Sequence, residues 1–251
     1  MPKIVSIHSF RGGTGKSNIT ASLASLVARS GKRVGVVDTD IQSPGIHVIF
    51  GMNETNVEHT LNDYLWGRCS IQDAAYPVPQ PVGELSIIPS SIKTNEIARI
   101  LREGYDVTML NEGFRDLVRE LSLDYLFIDT HPGLNEETLL SIAISDILFI
   151  VMRPDRQDYQ GTGVTVEVAR KLAVPELYLV VNKVPQSFDP DALREQAETA
   201  YGCPVIEVLP HSEEMMQLSS EGVFALAFPT LPLSRSLQRM AAVIVASSEE
   251  G

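Results

Sequence analysis

The chain has 251 residues, 44% of them apolar and 21% charged, which excludes a disordered or fibrous protein and leaves length for one large α/β domain or two small ones. Acidic residues number 32 against 20 basic ones, and the net charge of −12 on average repels nucleic acid and anionic lipid without removing a local basic patch. Two cysteines, Cys69 and Cys203, with no Cys or His nearby at ligand spacing, exclude a zinc site and a disulfide framework, and no run approaches the ~20 apolar residues of a membrane span.

Directly after Met-Pro-Lys the chain enters a strand-like run at 4–8, which leaves no room for a signal peptide and predicts a cytoplasmic protein. The next stretch, SFRGGTGKSN at 9–18, sets Gly12, Gly13, Thr14, Gly15, Lys16 and Ser17 between that strand and a helix expected over 18–30. This is the context of a phosphate-binding loop. Glycines let backbone N–H groups turn inward around a phosphate, and the helix N-terminus, with Asn18 in its first turn, adds partial positive charge. Lys16 then reaches the β- and γ-phosphates, while the Ser17 hydroxyl ligates Mg²⁺.

A strand over 33–37 runs into VGVVDTD, whose Asp38 and Asp40 are expected on one side of the strand, facing a cation and an attacking water. The alternative is that one of them is a turn-forming Asp ahead of Ser43-Pro44-Gly45. Residues 41–80, around the single tryptophan Trp66, are the least regular stretch and the expected place for a nucleotide-responsive surface. A strand over 85–88 and helices over 94–101 and 107–121 follow. LDYLFIDTHPG at 123–133 predicts a strand over 125–128 that delivers Asp129 to a Mg²⁺-bound water, with the Gly133 amide in the next loop reading the γ-phosphate.

Beyond it are a helix over 136–144, a strand over 147–152, the loop VMRPDRQDYQG with Arg153 and Arg156, and a helix over 161–172. A strand over 177–181 leads into VVNKVP, and a helix over 190–200 leads to a strand over 205–209 and the turn LPHSEE. Helices over 212–220 and 231–247 complete the chain, the last packing on the core and ending in a solvated acidic tip. Such alternation predicts parallel βα units, and strands apolar on both sides of their period need helices on both faces. The expected fold class is therefore α/β, a single doubly wound domain over residues 1–251 with a mainly parallel sheet of about 7–8 strands, binding ligand at the strands' carboxyl ends.

RGGTGKS, DTD, FIDTHPG and VVNK together resemble the MinD/ParA superfamily of P-loop ATPases, with its deviant Walker A box Lys-Gly-Gly-x-Gly-Lys-Ser/Thr. The resemblance spans most of the chain. It implies ATP and Mg²⁺ as cofactors, Asp40 as the carboxylate that orients the hydrolytic water, and Asp38 and Asp129 as supports of the metal through water. It also implies an ATP-dependent sandwich homodimer that recruits or positions a protein partner or cargo, with slow hydrolysis stimulated by that partner. Related GTPases read guanine with the Asp of Asn-Lys-x-Asp, but Pro185 stands at that position here, and its side chain accepts no hydrogen bond. Asn182 can still pair with adenine, as the family residue does, and Pro210 is expected to line the base, so ATP is favoured over GTP.

Two positions depart from the family pattern. Arg11 replaces the signature lysine that reaches the partner's phosphates, and His131 replaces the first proline of Asp-Thr-Pro-Pro-Gly. A guanidinium offers two donors to phosphate, so Arg11 is a candidate arginine finger in trans, a role worth ~10³ to 10⁵ in rate; the alternative is a cation acting in cis. Arg153 and Arg156 read as solvated loop arginines or as sharers of that role. His131 reads as an incidental, partly exposed residue or as a tuner of the γ-phosphate loop.

The leading reading is an ATPase switch. The alternatives are a nucleotide-binding module with little hydrolysis, motivated by Arg11, and a ParA-like partition ATPase binding DNA nonspecifically through a patch such as Arg115, Arg119, Arg170 and Lys171. The apolar, acidic tail disfavours MinD-type membrane binding. Cys69 and Cys203 form no C-x-x-C of a metallochaperone, and no tyrosine cluster follows Tyr201 as in the tyrosine-kinase branch.

Overall fold

The first strand, β1 (Lys3–His8), occupies the middle of the sheet, where its central residues Ile4, Val5, Ser6 and Ile7 are apolar or small on both faces. In the computed structural model, which describes residues 1–53 and 55–247, β1 lies between β5 (Tyr125–Asp129) and β6 (Ile147–Met152), parallel to both. Outward from β5 come β2 (Arg33–Asp38), β4 (Glu84–Ile88) and β3 (Tyr76–Val78); outward from β6 come β7 (Glu176–Val184) and β8 (Val205–Pro210). This gives eight strands in the order β3-β4-β2-β5-β1-β6-β7-β8, all pairings parallel except β3 with β4. The doubly wound α/β expectation therefore holds.

The helices are α1 (Lys16–Arg29), α2 (Ile46–Ile49), α3 (Leu61–Leu65), α4 (Thr94–Glu103), α5 (Thr108–Glu120), α6 (Glu136–Ala143), α7 (Arg156–Lys171), α8 (Pro190–Tyr201), α9 (Glu213–Leu218), α10 (Phe224–Ala227) and α11 (Pro232–Ala246). Alternate strand residues serve opposite layers. Tyr125 and Phe127 face a cluster with Leu23 of α1 and Leu237 and Met240 of α11, whereas Leu126 and Ile128 face Phe114 and Leu117 of α5. Leu148 and Ile150 of β6 pack with Val166 and Ala169 of α7 in a third cluster. Each fully buried Leu, Ile or Phe contributes about 1.5–3 kcal/mol, which explains why the central strands read as unbroken apolar runs.

Four short elements, α2, α3, α10 and β3, and a 3₁₀ turn at Gln72–Ala74 were not expected. α7 begins at Arg156, ahead of the expected 161, because the Asp155 side chain accepts from the N–H groups of Gln157 (3.1 Å) and Asp158 (3.0 Å) and caps it. Gly161 sits inside that helix because Phe10 lies against it; a Cβ there would fall 2.0 Å from the Phe10 ring. β7 runs on to Val184 through an irregular register. As expected, α11 packs Leu233, Leu237, Met240 and Ile244 into the core, while the acidic tip at 248–251 lies outside the described residues. Among the described residues no helix is long and apolar enough to cross a membrane.

Each edge strand of the sheet carries a proline, which has no N–H to offer. Pro77 is the middle residue of β3, Pro210 closes β8, and Arg194 of α8 donates to the Val205 carbonyl on β8.

Candidate functional site

β1, β2, β5 and β7 release their chains at one end of the sheet, which brings together residues 9–15, Asp38 to Asp40, Asp129 to Gly133, and Asn182. The loop between β1 and α1 carries Gly13 at φ +75° and Gly15 at φ +98°, left-handed conformations that glycine adopts without strain. Among the described residues, the backbone N–H groups of residues 12–15 donate to no protein atom, and α1 has no side-chain cap. A concave row of free N–H groups opening a helix is an anion site. From β7, the Asn182 amide donates to the Thr14 carbonyl (2.7 Å) and the Lys183 ammonium, on a residue at φ +58°, donates to the Gly13 carbonyl (2.8 Å). Two carbonyls of the loop are thus anchored from β7.

Lys16 is 7% exposed, and its ammonium donates to the Ser9 hydroxyl (3.2 Å). Burial lowers its pKa, against the opposing pull of Asp129, Asp40 and Asp38. Asp38 and Asp129 stand in register on neighbouring strands, both fully buried. Burial, then the charges of Asp129 and Asp40, push Asp38 well above the usual carboxylate range. Burial likewise pushes Asp129 up to about 6, while hydrogen bonds from the Ser17 and Thr20 hydroxyls and the charge of Lys16 pull it down. Two buried carboxylates held at raised pKa are a site lacking positive charge.

That donor set fits a magnesium–nucleotide complex. Among the described residues no three or more His, Cys, Asp or Glu side chains converge as a metal cage, so a cation seated by Ser17, Asp38 and Asp129 would draw its other ligands from water and phosphate. Mg²⁺ binds in this way, keeping several waters and few protein carboxylates.

Asp38 and Asp40 meet through a turn and not through strand alternation. β2 ends at Asp38, and the Asp40 N–H folds back to donate to the Asp38 carboxylate (3.0 Å), leaving Asp40 at the rim of the site. The Gly133 amide, expected to face a γ-phosphate, donates instead to the Ser9 carbonyl (3.0 Å) and ties the β5 loop to the phosphate loop. His131 Nδ1 lies 2.7 Å from Asp40 Oδ1, so that side chain is not incidental.

Arg11 points toward α7, where its Nε is 3.9 Å from Asp158 Oδ1. Arg153 is not a solvated loop arginine. Its Nε and Nη2 donate to the same buried carboxylate at 3.0 and 3.3 Å, and its N–H adds a third bond at 2.9 Å. Arg156 is exposed at the start of α7.

Beside the loop is a cleft of about 250 Å³ that brings together Gly15, Asn18, Asn182 and Pro210 and is lined also by Ile19, Lys183, His211, Ser212, Met215, Met216, Leu233 and Leu237. Its apolar wall from α9 and α11 suits a flat heterocycle between polar groups. Periodicity had marked those residues only as helix faces. Asp158 and His8 were missed as well. His8 is fully buried, with Nδ1 2.7 Å from the Thr130 hydroxyl, and burial followed by the charges of Lys16 and His131 pushes it down to about 3, so it is neutral. No signal in the sequence marks either residue, since each depends on a distant neighbour.

Two of the four cations of the candidate basic patch are engaged, while Arg115 and Lys171 are exposed. Arg119 pairs with Asp116 (2.7 Å) and Glu120 (3.0 Å), and Arg170 donates to the carbonyls of Tyr201 (2.6 Å) and Gly202 (2.8 Å). Cys203 is buried against the Leu177 carbonyl, Cys69 is half-buried, and burial pushes both thiols up to about 11.

An AAA domain family model matches residues 2–174. An uncharacterised ATP-binding protein of Methanocaldococcus jannaschii is 29% identical over 98% of this chain and 89% of its own length. An iron–sulfur cluster carrier protein of Pseudomonas fragi is 28% identical over 95% of this chain and 83% of its own. The septum site-determining protein MinD of Pyrococcus horikoshii, solved with Mg-ADP, superposes with a TM-score of 0.82 over 97% of this chain and 96% of its own, at 23% identity.

Proposed function

The chain belongs to the MinD/ParA superfamily of P-loop ATPases, and on that footing we propose that it is an ATP-driven molecular switch that hydrolyses ATP to ADP and phosphate as a homodimer and recruits or releases a partner protein. The observation that carries this reading is the row of free N–H groups at residues 12–15 opposite the in-register carboxylates Asp38 and Asp129. The loop holds the phosphates and Lys16 places its charge on them. Ser17, and through water Asp38 and Asp129, would hold Mg²⁺, which would supply positive charge to the phosphate oxygens. Asp40 orients the attacking water from the rim. The cleft under Pro210 and Asn182 takes adenine: Asn182 spends one N–H on Thr14 and one lone pair on the Lys183 N–H, leaving one donor and one acceptor for the base.

Arg11 acts in trans on the second nucleotide. Its present partner, Asp158, already has Arg153 as a close ion pair, so moving Arg11 away leaves no buried charge unpaired. A second reading, nucleotide binding with little hydrolysis, is favoured by the same tether, which holds Arg11 away from the loop until a second copy arrives. DNA binding is the weaker reading, since Arg119 and Arg170 are already engaged.

The test is steady-state phosphate release with particle mass measured in ATP, in ADP and without nucleotide. Asp40→Ala should keep ATP affinity and lose turnover; unchanged turnover would remove Asp40 from the water-orienting role. Arg11→Ala should lose the ATP-dependent dimer. Faster turnover by Arg11→Lys, with the dimer retained, would select the low-hydrolysis reading.

A further inference from the structure

We propose that His131 is a positioning residue that locks the Asp40 carboxylate in one orientation, an inference that rests on the water-orienting role of Asp40 above. His131 replaces a proline of the family pattern, so the arrangement belongs to this chain's own residues.

The segment bearing it is pinned on both sides. Before it, the Thr130 hydroxyl donates to the Ile7 carbonyl (3.0 Å) and accepts from His8; after it, Pro132 neighbours Gly12 of the phosphate loop. The Gly133 amide is tied to Ser9 at 3.0 Å. His131 is therefore presented from a fixed backbone, with its side chain only 19% exposed.

A carboxylate only accepts, so the 2.7 Å contact requires the proton to sit on His131 Nδ1. The same oxygen, Asp40 Oδ1, also accepts from the Ser43 N–H at 3.1 Å. Among the described residues Oδ2 has no protein donor. Two hydrogen bonds on one oxygen fix the plane of the carboxylate and leave Oδ2 as the atom that faces water. A proline at 131 has no donor and would leave Asp40 held by Ser43 alone.

Three measurements on the full chain test this. In nucleotide-free protein labelled with ¹⁵N-histidine, long-range ¹H–¹⁵N spectra should place a proton on Nδ1 of His131, identified by its loss in His131→Asn, and Asp40→Ala should abolish that signature. In ATP turnover, His131→Ala and His131→Pro should lower kcat by about 10- to 100-fold, the usual cost of losing an outer partner of a functional group, while KM and ATP affinity stay within about twofold. His131→Asn, which keeps a donor near the position of Nδ1, should recover most of the rate. The double variant Asp40→Ala/His131→Ala should be no slower than Asp40→Ala alone.

An unchanged kcat in His131→Ala, an effect confined to KM, additive losses in the double variant, or the absence of the Nδ1 proton would each overturn the proposal. Failure of the underlying reading is distinguishable: Asp40→Ala would then turn over like the unsubstituted protein, while the unsubstituted protein, read without nucleotide, would still show the Nδ1 signature and Asp40→Ala would still lose it.

Discussion

Replacing Gly15 with alanine strikes the phosphate loop twice, and the structure allows both costs to be worked out. The residue sits at φ +98°, where a side chain costs about 1–2 kcal/mol of backbone strain. The new Cβ would lie 2.6 Å from Asn182 Nδ2, closer than such atoms approach, and that amide is held at both ends, by the Thr14 carbonyl and by the Lys183 N–H. Displacing it leaves a buried carbonyl or amide unsatisfied, about 1–3 kcal/mol. The sum is about 2–5 kcal/mol against a total stability of about 5–15. Without nucleotide the loop can relax, so the denaturation midpoint should register the lower end. Nucleotide needs the loop and Asn182 in place together, so ATP affinity should fall at least about 30-fold, the equivalent of 2 kcal/mol. Titration with a fluorescent ATP analogue, alongside urea melts, measures both. In an Asn182→Ala background the cost of Gly15→Ala to stability should shrink to the backbone share. Wild-type affinity and midpoint in Gly15→Ala, or an equal cost in both backgrounds, would refute the reasoning.

Asp129→Asn should stabilise the nucleotide-free protein. The folded pKa of about 6 stands above the ordinary carboxylate value, so the native state holds the extra proton and wild-type stability falls as pH rises from about 4 through 6, a penalty that remains above that window. The variant should therefore gain about 3 kcal/mol at pH 8 and nothing below pH 4, checked by urea melts at both; a pH-independent difference would contradict the assignment. The shift of Asp38 has the same sign. With both thiols pushed up to about 11, alkylation at pH 7.5 should leave Cys203 unmodified until the chain unfolds and label Cys69 far more slowly than free cysteine. Reconstitution with iron and sulfide should give no stoichiometric cluster, and a reproducible one would place this chain with the iron–sulfur carriers.

The phosphate loop, the aspartates at strand ends and the parallel order of the sheet were legible because each follows from local spacing. What escaped was of two kinds. α2 and β3 have four and three residues, too few to show a period, and β3 carries a proline at its centre. Asp158 under Arg11, His131 on Asp40, and Met215 in the cleft beside the loop depend on loops from distant strands meeting at one end of the sheet. Gly161 illustrates the difference. Read locally it breaks a helix; in the fold it makes room for Phe10, the neighbour of Arg11.

The proline-bearing edges of the sheet bear on how copies of this chain can associate. β3 is three residues long with Pro77 at its centre, β8 closes on Pro210, and the Val205 carbonyl of β8 is occupied by Arg194. Another strand laid against these margins would miss an N–H at Pro77 and at Pro210 and meet an occupied carbonyl at Val205, which works against growth by strand addition, the route to open fibres. In the proposed homodimer, contact across the face that carries Arg11 would close on itself after two copies. The edges would then help to keep pairing finite, as a reversible switch requires.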